Sequence, residues 1–65
     1  MIVYRMFATE YNHRECVRIF KPSQLVNVKQ FMRKYCLESE CGTTVELIKY
    51  EDGTAVKCLY RVRKP

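Results

Sequence analysis

Residues 7–20 read "FATEYNHRECVRIF". Taken at alternate positions, the stretch carries two messages. Ala8, Val17 and Ile19 form an apolar set, while Phe7, Arg18 and Phe20 set bare aromatics beside a guanidinium. Alternation of this kind is the signature of strands with two unlike faces. Asn12, which tolerates a positive φ, marks the turn between them. A two-residue loop at Asn12 and His13 predicts Ala8 opposite Val17 and Met6 opposite Ile19. The other face then holds Phe7 opposite Arg18 and Arg5 opposite Phe20.

The segment after the hairpin changes period. Pro22 ends the strand, and Ser23 is a suitable helix N-cap. Leu25, Val28, Phe31, Met32, Tyr35 and Cys36 then lie on one helical stripe. Lys29, Arg33 and Lys34 fall off that stripe and make a basic outer face. Gly42 is the stop signal, which predicts a helix over about residues 23–38. In the last third, "EDGT" places Asp-Gly between two alternating runs, a strong hairpin signal. Pairing from that turn groups Val45, Leu47, Val56, Cys58, Tyr60 and Val62 on one side.

The order is hairpin 2–20, helix, hairpin 43–63, within a single domain of 65 residues. One helix covers one face of a four-stranded antiparallel sheet, so the expected fold is a two-layer α+β domain of ββαββ order. Strand order 2-1-3-4 and strand order 1-2-4-3 both keep neighbours antiparallel. The covered face is expected to hold Ile2, Tyr4, Met6, Ala8, Val17 and Ile19 with the apolar set of the second hairpin. A core this small supplies only about 3–5 kcal/mol.

The open face then collects Arg5, Phe7, Arg18, Phe20, Tyr50, Lys57, Arg61 and Arg63, with Glu46 as its lone acid. Rings offer stacking surface to unpaired bases, and cations follow phosphates. Of these, Arg5, Phe7, Arg18, Phe20, Tyr50, Lys57 and Arg61, together with Lys29 and Arg33 from the helix, are the candidate binding surface. The net charge of +5 suits a polyanion or an acidic protein surface equally. The first expectation is therefore binding of RNA or another single-stranded nucleic acid. The alternative is a small inhibitor or adaptor, of the viral accessory type, that occludes a protein partner such as an RNA-acting enzyme. Val3, Ile48 and Leu59 on the same face fit that alternative or a homodimer.

Catalysis is not expected. The chain contains no GxxxxGK, GxSxG or HExxH, and its one histidine, His13, lies at a turn. Cys16, Cys36, Cys41 and Cys58 show no CxxC spacing, so no metal or cofactor is expected. No signal-like run or membrane span is seen at "MIVYRMFATE", which points to a soluble cytoplasmic protein with reduced thiols.

Overall fold

Tyr11 and Asn12 turn the first hairpin, with φ of 47° and 67°. Two successive left-handed residues form the turn whose twist matches that of paired strands. The loop is thus one residue earlier than expected, and Glu10 pairs with His13. This joins β1 (Ile2–Glu10) to β2 (His13–Phe20). The second hairpin turns at Asp52 and Gly53, as expected, with φ of 49° and 85°. It joins β3 (Thr44–Glu51) to β4 (Thr54–Arg63). The computed structural model describes residues 1–65. All four strands form one antiparallel sheet in the order β2-β1-β3-β4, the first of the two expected orders.

A Cβ at Gly53 meets nothing within 4 Å, so only its positive φ resists a larger residue. The left-handed region costs an L-residue about 1–2 kcal/mol. Gly53→Ala is therefore expected to lower the thermal midpoint by at least about 4–8 °C in a domain this size. Thermal denaturation followed by circular dichroism checks it. D-alanine at the same position, introduced by chemical synthesis, should keep the wild-type midpoint.

The helix is shorter than its apolar stripe suggests. Residues Pro22–Gln24 form a single 3-10 turn, closed by the Lys21 N–H donating to Gln24 Oε1 at 2.8 Å. Asn27 then adopts a left-handed φ of 61°, and α1 runs over Val28–Leu37. Ser23 is not its N-cap. Asparagine accepts this backbone more readily than other non-glycine residues. At the far end Lys64 Nζ donates to the carbonyls of Leu37 and Ser39, at 2.6 and 2.8 Å. A cation there satisfies orphan acceptors and opposes the negative end of the helix dipole.

Met6, Phe20, Val28, Met32, Cys36, Val45 and Leu47 form the buried core between helix and sheet. Tyr4, Val17, Leu25, Tyr35, Tyr60 and Val62 pack around it. Phe20 belongs to this core and not to the open face: it is 7% exposed and meets Phe31 edge-on at 6.2 Å. Ile19, expected inside, is 57% exposed. Ile2, Val56 and Cys58, also expected inside, are exposed too.

Bulges account for the exchanges in β2 and β4, whereas Ile2 stays in regular register at the start of β1. Phe7 pairs with Cys16 but Met6 pairs with Arg18, so Val17 is an extra residue. One added residue turns every side chain beyond it to the other face. In β4, Val56 and Leu59 are extra residues of the same kind. Between them Lys57 pairs with Lys49 and Cys58 with Ile48. Past the second bulge Tyr60 and Val62 return to the helix side, opposite Leu47 and Val45. Both bulged strands are sheet edges, where such kinks discourage pairing with other chains.

Candidate nucleic-acid interface

The face away from the helix is a small lattice of cross-strand rows. One row runs Cys16, Phe7, Glu46, Arg61 from β2 to β4. The next, towards the first turn, runs Arg14, Thr9, Thr44, Arg63. On the other side lies Ile19, Arg5, Ile48, Cys58, followed by Val3, Tyr50 and Ala55. The face therefore carries four guanidiniums and one carboxylate.

Phe7 and Tyr50 sit on the two central strands. Their Cα positions are two rows apart, roughly 13 Å along the strands. The rings nonetheless lean together, with centroids 6.3 Å apart and planes tilted by 45°. Each ring has its own cation. The Arg5 guanidinium lies 4.4 Å from the Tyr50 centroid, and that of Arg14 lies 4.2 Å from Phe7. Attraction between a cation and the negative face of a ring holds such pairs with about 0.5–1 kcal/mol when exposed. Arg5 is the more enclosed of the two, and its Nε is buried without a hydrogen-bond partner.

Glu46 ties the cluster together. It is 13% exposed although it lies on the open face. Arg61 donates to its Oε2 through Nε at 3.2 Å and Nη2 at 2.8 Å, and Arg14 Nη2 lies 4.0 Å from its Oε1. Arg61 is accordingly pushed above its ordinary pKa, first by that hydrogen bond, then by the Glu46 charge and by nearby Cys58. A guanidinium raised in this way stays charged at every working pH.

Of the residues singled out in the sequence, Arg5, Phe7, Tyr50 and Arg61 are brought together on this face. Arg18, Phe20 and Lys57 are not. Arg18 lies on the helix side, 5.4 Å from the Phe20 centroid and 5.0 Å from that of Phe31. It roofs the edge of the core with its charge in water. Lys57 is turned by the first β4 bulge to the helix side, opposite Lys49. Lys29 and Arg33 are on α1, with Lys29 Nζ 5.3 Å from the Tyr60 centroid. Arg14 is the residue the sequence reading missed. It shares the alternation of Cys16, which was a usable signal.

The remaining chemistry is sparse. All four cysteines are free thiols, and Cys36 is buried against the carbonyls of Thr43 and Val62. No group of three or more His, Cys, Asp or Glu side chains is placed to hold a metal ion. No helix is long and apolar enough to cross a membrane. No protein-family model, curated protein or solved structure matches the chain.

Proposed function

We propose that this domain acts by binding, not by catalysis, and that its open sheet face takes single-stranded nucleic acid. One observation carries the reading: Phe7 and Tyr50 converge on the two central strands, each flanked by a guanidinium. Unpaired bases stack on aromatic rings and on guanidinium planes alike. Each such base contributes on the order of 1–3 kcal/mol. Arg14, Arg61 and Arg63 supply charge beside the rings for the phosphates. A duplex buries its base faces, so the surface should prefer unpaired strands.

Fluorescence anisotropy with a labelled single-stranded RNA tests this, run beside the same sequence as a duplex. The single strand should bind more tightly. Its log–log salt slope should be about −3 if roughly four phosphates are neutralised. Equal binding of both forms would make the surface merely cationic. No binding by the folded protein would leave the same face to an acidic protein partner, as an inhibitor or adaptor.

Glu46 is the brake on this face. Glu46→Gln removes its only carboxylate while keeping shape and hydrogen-bonding capacity. The variant is expected to elute from a heparin column at higher salt than wild type and to bind RNA several-fold more tightly, since electrostatic attraction dominates such affinities. Unchanged elution would mean that Arg14 and Arg61 do not face the ligand.

A further inference from the structure

The two flanks of α1 carry opposite chemistry. Val28, Met32 and Cys36 point into the core. Towards β2, Phe31 meets Phe20, and the following turn brings Tyr35 and Glu38 into a cleft with Glu10 and Glu40. Towards β4, Lys29 lies over Tyr60, and Arg33 and Leu37 line a second cleft with Val62 and Arg63. This second cleft has a volume of ≈ 170 Å³ and no acidic residue in its lining. Cys36, Leu37 and Val62 give it an apolar floor. Lys64 also lines it, but its ammonium is committed to the helix C-terminus. Arg33 and Arg63 have no carboxylate within 4.0 Å.

Arg63 links this cleft to the open face. It belongs to the row of Arg14, Thr9 and Thr44, beside the row that holds Phe7 and Arg61. The way from Phe7 crosses two strand intervals, roughly 10 Å, to the β4 edge. There the guanidiniums of Arg61 and Arg63 give way to the Arg33 guanidinium and the Lys29 ammonium of the helix flank. The acids are elsewhere: three in the Glu10 cleft, and the rest paired with Arg61, His13, Lys49 or the terminal amine. A polyanion laid along this route meets one side-chain carboxylate, Glu46, which is paired with Arg61.

We infer that a single strand engaged by the open face continues around the β4 edge into the Arg33–Arg63 cleft. A phosphate lies between the two guanidiniums, and one sugar or base rests on the floor of Cys36, Leu37 and Val62. The cleft falls below the ~300–1,000 Å³ typical of drug-sized sites, and a single ring is what it suits. This inference rests on the reading of the open face given above. It adds a direction of travel and a minimum length of strand.

The test compares oligonucleotides of about 3 and about 10 nucleotides, spanning the low end of the site sizes of small binding domains. Both are titrated by anisotropy against wild type, Arg33→Glu and Lys34→Glu. Both substituted positions are exposed, so folding is retained. The longer probe should bind wild type more tightly, and Arg33→Glu should remove most of that gain. Its salt slope should become shallower by about 0.7 per lost phosphate contact. The short probe should be affected less than twofold. Lys34→Glu, an equal change of charge outside the cleft, should act weakly on both. Equal loss with the two variants, or a length gain that survives Arg33→Glu, overturns the path around the edge and spares the open face. Failure of wild type to bind either probe overturns both.

Discussion

Phe7→Ala combined with Tyr50→Ala is expected to abolish single-strand binding. Each stacked base is worth on the order of 1–3 kcal/mol, so removing both rings should weaken affinity by at least about 30-fold. The effect exceeds that of any single cation on the face, because the rings hold their cations in place. Arg5 loses the surface it lies on when Tyr50 goes, and Arg14 loses its own when Phe7 goes. The fold should survive, since neither ring belongs to the buried core. Phe7→Tyr and Tyr50→Phe keep a π face at each position and should bind within a few-fold of wild type. Anisotropy titrations of the three variants separate stacking from charge. If the double variant binds like wild type, the rings are packing for the arginines and nothing more.

Met32→Ala is expected to bring the domain to the edge of unfolding. Met32 is fully buried, on the middle turn of the one helix, and sits in the same cluster as Met6, Val45 and Leu47. Truncating a buried methionine costs about 2–5 kcal/mol, partly from the lost transfer energy and partly from the cavity. A single core in a domain this size supplies only about 3–5 kcal/mol. The two figures nearly cancel. A fall of more than about 10 °C in midpoint, or loss of a cooperative transition, is expected by circular dichroism. Val26→Ala provides the contrast: Val26 is 80% exposed and the change should stay within about 0.5 kcal/mol. A fall below about 4 °C for Met32→Ala would mean that the layer relaxes around the gap.

The fold class is legible in the sequence because it needs only periods and turn residues. Alternation, a helical stripe and Asp52-Gly53 suffice for two hairpins and a helix. What the sequence hides is the bulge. Nothing in "ECVRIF" distinguishes Val17 as an unpaired residue, yet that residue exchanges Ile19 and Phe20 between faces. The same holds for Val56 and Leu59, which turn Lys57 to the helix side and Cys58 to the open face and then restore the pattern. A second bulge cancels the parity change of the first, so Tyr60, Arg61 and Val62 keep their expected faces. Arg5, Phe7 and Tyr50, whose strands carry no extra residue, and Arg61, past both β4 bulges, are where the alternation put them. The bulges also explain why the aromatic content of the open face is smaller than expected. Phe20 stabilises the core, and the stacking surface reduces to the two central rings.

The most direct test of the open face as the binding surface is an amide NMR titration with unlabelled single-stranded RNA. Shifts are expected to concentrate on β1 and β3 around Phe7, Glu46 and Tyr50, and to extend to Arg61 and Arg63 on β4. Residues of the acidic cleft, Glu10, Glu38 and Glu40, should stay unmoved. Shifts confined to the helix with the open face silent, or no shifts at all in the folded protein, would contradict it.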